Sequence, residues 1–183
     1  MKEKIQAVLT EIEDVMVNVE EGELTEAASR LAAAKRIFVF GEGRSGFMAK
    51  SFAMRLMHLG AHSFVIGETT TPSIQKGDVI VLVSGSGKTK SVCWTAERAA
   101  EMGCVVIAVT TDSASPLASR ADMILHIPAA TKYRKEGERE SIQPLGSLFD
   151  QSTHVLFDVL CLDYAEKKNR THEQTFKLHS NVE

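Results

Sequence analysis

The sequence predicts an α/β fold, a three-layer α/β/α sandwich built around a five-stranded parallel sheet. Five short runs rich in Val and Ile are apolar without strict alternation, which is typical of strands buried on both faces. Helical patterns lie between these runs, and that alternation favours parallel strands with helices on both faces of the sheet. The runs are RIFVFG (36–41), HSFVIGE (62–68), GDVIVLVSG (77–85), CVVIAVTT (104–111) and ADMILHIP (121–128).

The segment before the first strand is predicted to be helical. Apolar residues from Ile5 to Val19 recur at helical spacing and form one stripe, which a stable helix has to bury. The stripe packs either on its own domain or at a subunit interface, and our fold prediction adopts the interface. A second helix is predicted over residues 25–35.

The remaining helices follow the strands in order. Gly60 fits the C-cap of the first of them. The charged stretch 129–144 is the least regular part of the chain and is expected to be a mobile loop or a lid. We expect residues 1–183 to form a single domain, with a helical segment 1–35 and a C-terminal tail 169–183. The patterns that predict helices cover 45–59, 89–102, 115–120 and 147–168.

Composition excludes several classes of protein. The 183 residues are 44% apolar and 25% charged, which is the balance of a globular domain. A net charge of −3 without long basic runs argues against nucleic-acid and membrane-surface partners. No apolar stretch approaches a membrane span, and the first residues do not resemble a secretory signal, so a cytoplasmic location is expected. The three cysteines are expected to be buried free thiols.

Two glycine-rich loops follow the first and third runs. The loop at 84–89 ends in Gly-Lys-Thr, but an ATP-binding P-loop needs a glycine where the chain has Leu82. The loop at 41–46 matches the dinucleotide pattern G-x-G-x-x-G, yet the acidic residue expected about 20 positions on is missing. Glu68, 27 positions after Gly41, is the nearest candidate. A dinucleotide site and plain strand–helix turns remain as alternatives.

The two loops together favour a site for one phosphate group. In a parallel sheet, ligands bind at the carboxyl ends of strands, where loops lead into helix N-termini. Glycines let backbone N–H groups approach an anion, the helix dipole favours negative charge, and Ser and Thr add hydroxyl donors. Two hydroxyl-rich loops side by side fit a single phosphate better than a pyrophosphate.

Several motifs resemble those of sugar isomerase (SIS) domains and, more narrowly, of the 6-phospho-3-hexuloisomerase family. The resemblance covers nearly the whole chain, and it implies a flavodoxin-like strand order. It also implies an interconversion of D-arabino-3-hexulose 6-phosphate and fructose 6-phosphate through a cis-enediol, without metal or organic cofactor, in a homotetramer. The motifs are GEGRSG (41–46), FAMRLMHLG (52–60), GETTTP (67–72), SGSGKT (84–89) and QPLGSLFDQ (143–151).

The resemblance also assigns the phosphate-binding residues. It implies that four hydroxyls and two backbone amides hold the sugar phosphate, and that Lys88 is incidental because the family pattern leaves its position free. The implied hydroxyls are those of Ser45, Ser84, Ser86 and Thr89, and the implied amides are those of Gly85 and Gly87.

Three residues are candidates for the acid–base chemistry, Asp150, His179 and Glu68. In the family a Glu stands where this chain has Asp150, whose structural alternative is charge compensation at a helix start. His179 matches the family tail H-x-N and reaches a site most easily across a subunit boundary; its alternative is a disordered terminus. Glu68 ends the second run, just after its predicted strand, with a loop cap as its alternative. Gln143 and Ser147 are weaker candidates for substrate contact.

Competing functions remain open at this stage. Another SIS isomerase would act on arabinose 5-phosphate or sedoheptulose 7-phosphate. A non-catalytic sugar-phosphate-binding regulator is the alternative from another class, although the 35 residues before the first run are few and not basic for a DNA-binding domain. The GETTTP and H-S-N segments argue against another SIS isomerase.

Overall fold

Five parallel strands form one sheet in the order β2-β1-β3-β4-β5. The structure is a computed structural model and describes residues 1–134, 138 and 140–182. The sheet confirms the predicted α/β class, the number of strands and the flavodoxin-like order. Each strand lies inside its predicted run and is shorter by one to four residues. The strands are β1 (Ile37–Gly41), β2 (Ser63–Val65), β3 (Val79–Val83), β4 (Val105–Thr110) and β5 (Met123–His126).

Helices cover both faces of the sheet, as predicted. One core cluster joins one face of the sheet to α1, α2, α3 and α5, and a second joins the opposite face to α4. The helices are α1 (Lys2–Met16), α2 (Glu21–Ala33), α3 (Gly43–His58), α4 (Lys90–Glu101), α5 (Ser147–Lys167) and α6 (His172–Phe176).

The helix predicted at 115–120 is wrong in length and type. Only Ala118–Arg120 forms a 3₁₀ turn. The N–H of Leu117 donates to the carbonyl of Gly87, at 3.0 Å, so the backbone of this segment braces the loop after β3 instead of starting a helix.

The central strand β3 shows why the sheet reads as continuously apolar. All five of its residues are buried, and successive side chains point to opposite faces. Val79, Val81 and Val83 pack in the core cluster with α3 and α5, whereas Ile80 and Leu82 pack in the cluster with α4. Each such side chain contributes about 1.5–3 kcal/mol through burial.

The apolar stripe on α1 is buried on its own chain only in the second half of the helix. Val15 is fully buried, and Ile12 and Met16 pack against the same core, so the second half of α1 packs on its own chain. Ile5 and Leu9 are 59% and 54% exposed. The first half of α1 therefore keeps an apolar face outside the core.

The cysteines are free thiols, as expected, and Cys104 and Cys161 are buried, but Cys93 is only partly buried, so the prediction of burial is wrong for this one. Burial raises the pKa of Cys161 to about 12, which keeps it protonated and unreactive. Within the described part of the chain, no helix combines the length and apolarity needed to cross a bilayer.

The fold places the two glycine-rich loops next to each other. β1 and β3 are neighbours in the sheet. The chain adds β2 on one side of β1 and β3 on the other, so the strand order changes direction at β1. Gly46, the last glycine of the first loop, brings α3 close to β1, because a Cβ there would lie 2.5 Å from the carbonyl oxygen of Gly41. Both loops therefore open at the same edge of the sheet.

Candidate active site

A pocket of about 360 Å³ opens at the carboxyl edge of the sheet. Its walls come from the loop after β1, the loop after β3, the segment after β5 and the first turn of α5. Its lining residues are Glu42, Gly43, Arg44, Ser45, Val83, Ser84, Gly85, Ser86, Thr89, Thr131, Lys132, Tyr133, Gly146, Phe149 and Asp150.

One side of this pocket is built to hold an anion. The structure brings the predicted hydroxyls of Ser45, Ser84, Ser86 and Thr89 into this lining, together with Gly85. The hydroxyls of Ser84 and Thr89 lie 2.9 Å apart and hydrogen-bond to each other. The N-termini of α3 and α4 meet here, and the first N–H groups of a helix have no acceptor within it. Hydroxyls and helix N-termini together favour a phosphate.

Gly87 and Lys88 lie outside the pocket lining. The N–H of Gly87 donates to the carbonyl of Ser84 at 2.9 Å, so this amide closes the turn. Gly87 has φ +61°, and a Cβ there would lie 2.0 Å from the Ser115 hydroxyl. Its place in the structure is to shape the loop; a direct phosphate contact remains a prediction. Lys88 is exposed, in agreement with the incidental role implied for it.

Asp150 projects into the pocket from the first turn of α5. Its side chain is buried, and the Ser45 hydroxyl donates to its Oδ1 at 2.7 Å. The Arg44 Nε lies 3.7 Å from its Oδ2. Burial raises the pKa of Asp150 above its ordinary value, against the lowering effects of the Ser45 hydrogen bond and the Arg44 charge. A desolvated carboxylate beside an anion site is suited to proton transfer.

Glu68 lies in an adjoining pocket of about 340 Å³, which shares Glu42 and Gly43 with the first pocket. Its carboxylate forms an ion pair with Lys50, with 2.6 Å between Oε1 and Nζ, and both side chains are about half exposed. Glu68 is therefore beside the phosphate pocket and is separated from Asp150 by the first loop.

His179 does not reach the pocket of its own chain. Its ring stacks on that of His58, with 5.1 Å between the centroids. His58 is the last residue of α3, and Ser45 lies in its first turn. These two residues are therefore about 20 Å apart along the helix axis. Burial, followed by the charges of Arg55 and His179, lowers the pKa of His58. One chain by itself thus brings together Asp150 and the phosphate loops without His179.

Sequence reasoning missed several residues of the pocket. Arg44 stands inside the GEGRSG motif and could have been named from its charge next to Ser45. Glu42 precedes α3 and accepts a hydrogen bond from the Ser91 hydroxyl at 2.8 Å, which joins the first loop to the start of α4. The segment after β5 belongs to the stretch expected to be a mobile loop or a lid, but none of its residues was named, because only the fold brings them to the pocket. It contributes Thr131, Lys132 and Tyr133.

The two weaker candidates take different places. The Ser147 hydroxyl accepts a hydrogen bond from Arg44 at 3.1 Å, so it orients that side chain at the edge of the pocket. Gln143 is buried against α1, outside the pocket lining. In the described ranges 1–134, 138 and 140–182, no group of three or more His, Cys, Asp or Glu side chains is arranged to hold a metal ion.

The protein is a parallel α/β sandwich with a hydroxyl-lined pocket where the strand order changes direction, and a buried carboxylate lies in that pocket. This arrangement is typical of phosphate-binding α/β domains. Within this class, the SIS domain family matches residues 30–154 of the chain. The chain belongs to the SIS domain family, and the resemblance inferred from its motifs is confirmed.

Relatives and solved structures extend the match to nearly the whole chain. A 3-hexulose-6-phosphate isomerase of Bacillus subtilis (strain 168) is 38% identical over 181 residues, covering 99% of this chain and 98% of the relative. A protein of the same name from Mycobacterium gastri is 37% identical over 179 residues, covering 98% and 89%. A crystal structure from Methanococcus jannaschii, described as inferring a 3-hexulose-6-phosphate isomerase function, has a TM-score of 0.85 and 31% identity, covering 99% of both chains.

Proposed function

We propose that this chain is a sugar-phosphate isomerase that interconverts D-arabino-3-hexulose 6-phosphate and fructose 6-phosphate. The observation that carries the proposal is the position of Asp150, a buried carboxylate hydrogen-bonded to Ser45 of the phosphate pocket. The similar proteins of Bacillus subtilis and Mycobacterium gastri carry the name of this activity, and they support the choice of substrate. The proposal includes a place in formaldehyde fixation by the ribulose-monophosphate pathway, and a cytoplasmic location.

The mechanism follows from the hydroxyls of the pocket and from Asp150 beside them. Ser45, Ser84, Ser86 and Thr89 hold the phosphate, which leaves the carbon chain to run along α5. Asp150 removes the proton from the carbon next to the carbonyl. The electron pair of that C–H bond becomes the C2–C3 double bond, and the carbonyl oxygen accepts a proton from a second group, which gives the cis-enediol. The same carboxyl returns the proton to the neighbouring carbon, so that the carbonyl moves between C2 and C3. A second group has to move the proton between the two oxygens.

His179 is our first choice for the second group, supplied by another subunit. In its own chain it lies near the far end of α3, so a second copy has to bring it to the pocket. Exposed apolar side chains support an oligomer, a homotetramer in our proposal. Phe47 and Met54 of α3 are 65% and 49% exposed, and Leu162 of α5 is 68% exposed. Glu68 is the alternative, since its pocket adjoins the first.

A turnover assay tests the proposed reaction. The chain is expected to convert 3-hexulose 6-phosphate to fructose 6-phosphate, and to convert arabinose 5-phosphate and sedoheptulose 7-phosphate much more slowly. Preferred turnover of either of those two sugars would replace the proposed substrate within the same family.

A mixing experiment tests the shared site. Asp150→Asn and His179→Ala chains are each expected to be nearly inactive. Unfolding and refolding them together should restore activity, to at most about one quarter of wild type for a site shared by two chains of a symmetric pair. If oligomers shown to contain both variants recover no activity, then either Asp150 and His179 act within one chain or His179 takes no part in the mechanism.

A sugar-phosphate sensor is the second candidate. The observation that favours it is that one chain holds a phosphate pocket but leaves His179 outside it. A sensor would bind fructose 6-phosphate without incorporating solvent deuterium at C2 or C3, whereas an isomerase exchanges these protons. Measuring deuterium in fructose 6-phosphate recovered from D₂O separates the two functions.

A further inference from the structure

A carboxylate on α1 ties that helix to the segment that leads into α5. Glu11 Oε1 accepts the backbone N–H of Ile142 at 2.7 Å. Its Oε2 accepts the Ser141 hydroxyl at 2.8 Å and the Gln143 side-chain amide at 2.9 Å. Glu11 is outside the pocket lining, and it holds three consecutive residues, the last of which lies seven positions before Asp150 in the first turn of α5.

The ionised form of Glu11 is suited to this role. Burial works to raise the pKa of Glu11, but the hydrogen bonds from Ile142, Gln143 and Ser141, with the charge of Arg134, outweigh it and leave the pKa below its ordinary value. Charge-assisted hydrogen bonds are about twice as strong as neutral ones. Arg134 also donates to the carbonyl of Gln143, so the held segment is fixed from a second side.

The chain between this anchor and α5 is tight and strained. Leu145 has φ +55°, a left-handed conformation that is unfavourable for a residue with a branched side chain. It is 71% exposed, so burial of its own side chain does not hold it there. The N–H of Ser147 donates to the carbonyl of Pro144 at 3.1 Å, and that of Asp150 to the carbonyl of Gly146 at 3.0 Å. A strained residue persists when its neighbours fix it on both sides.

We propose that Glu11 is a positioning residue for the active site. By fixing Ser141, Ile142 and Gln143, it holds the Leu145 turn and, through it, the first turn of α5 that presents Asp150 to Ser45. The inference rests on the proposed function, because it assigns Glu11 to the orientation of the base.

Glu11→Gln tests the inference, with Glu13→Gln as the matched control. Glutamine keeps the size of the side chain, but it replaces one carboxylate oxygen with an amide nitrogen. That nitrogen cannot accept a hydrogen bond from the Ser141, Ile142 or Gln143 donors. Glu13 lies on the same helix with an exposed side chain. Amide hydrogen exchange across residues 141–150, measured without substrate, should become about tenfold faster in Glu11→Gln and stay unchanged in Glu13→Gln.

The pH profile of kcat/KM supplies a readout that a merely structural role would not move. The charged side chains that line the pocket around Asp150 are Arg44 and Glu42 from the loop after β1, and Lys132 from the segment after β5. The Ser45 hydrogen bond lowers the pKa of Asp150 against the effect of burial. A looser first turn of α5 weakens this bond and therefore raises the pKa of Asp150. The acid limb of the Glu11→Gln profile should therefore move to higher pH, with an approximately tenfold loss of kcat/KM at neutral pH.

Two results would overturn the inference. One is wild-type hydrogen exchange across 141–150 in Glu11→Gln. The other is faster exchange with an unchanged acid limb, since Glu11 would then brace the loop without orienting Asp150. Should Glu11→Gln fail to fold, Ser141→Ala removes one of the three donors and is judged by the same two readouts, with about threefold effects expected. A wild-type chain without isomerase activity would refute the proposed function, while the exchange comparison still decides whether Glu11 holds the segment.

Discussion

Replacing Asp150 with asparagine separates the charge of this residue from its shape. Asparagine has the same size, and its carbonyl oxygen can still accept the Ser45 hydroxyl, which donates to Asp150 at 2.7 Å. The variant loses the negative charge beside Arg44 and the ability to take a proton. The change therefore leaves the pocket formed and removes the proposed base.

The expected loss of turnover is large. A positioned general base contributes about 10²- to 10⁴-fold to the rate, or about 3–5 kcal/mol of barrier. The variant is expected to lose this factor in kcat with a KM for the hexulose phosphate within about threefold of wild type, because the phosphate contacts come from other residues. The folded protein should keep its stability, since a buried carboxylate with a raised pKa is replaced by a neutral amide.

The assay combines kinetics with thermal unfolding. The initial rate of fructose 6-phosphate formation gives kcat and KM, and a Tm within about 4 °C of wild type shows that a lost rate is not a lost fold. Asp158→Asn is the matched control on the same helix, because its side chain is 59% exposed. A normal rate in Asp150→Asn would refute the assignment and move the base to Glu68 or His179.

Three further predictions concern the phosphate loop and the base. Ser84→Ala combined with Ser86→Ala should raise KM by about 10- to 100-fold, because two hydrogen bonds to a charged phosphate are lost; an unchanged KM would contradict the phosphate role. Lys88→Ala should keep kcat/KM within about threefold, since this exposed side chain lies outside the pocket lining; a hundredfold loss would show a direct role. Burial raises the pKa of Asp150, and the base works when ionised, so the wild-type rate should begin to fall with acid above the pH at which an ordinary aspartate titrates. The same raised pKa means that the Asp150 contribution to folding stability is present in acid and is lost as pH rises through the folded-state pKa, so Asp150→Asn should not be less stable at neutral pH.

The sequence was sufficient for the sheet, because buried parallel strands leave a plain pattern. Every residue of β3 is buried, so its run reads as apolar on both faces, and the glycines after β1 and β3 marked the turns. The segment 115–120 failed for a tertiary reason. Its Leu117 N–H bonds to Gly87, 30 positions earlier, and no local pattern records such a contact.

The site was predicted where its residues stand in motifs and missed where the fold alone assembles it. Ser84, Ser86 and Asp150 each belong to a short motif that the resemblance could name. Glu11 lies 130 positions before Ser141, which donates to it, and on α1 it reads as an ordinary surface acid. Lys132 comes from an irregular polar stretch whose path cannot be traced from periodicity.

The hydroxyl of Ser45 carries a single proton, and two acceptors compete for it. In the empty pocket Asp150 receives that proton in a hydrogen bond. A phosphate seated on Ser45 would draw the bond to itself, and Asp150 would then bind protons more tightly, because one of the two groups that lower its pKa is gone. By thermodynamic reciprocity, protonating Asp150 releases the hydroxyl for the phosphate. In the proposed mechanism, substrate capture and the strength of the base would thus be coupled through one serine, and the Ser45 hydrogen bond would restrain the carboxylate until a sugar phosphate arrives.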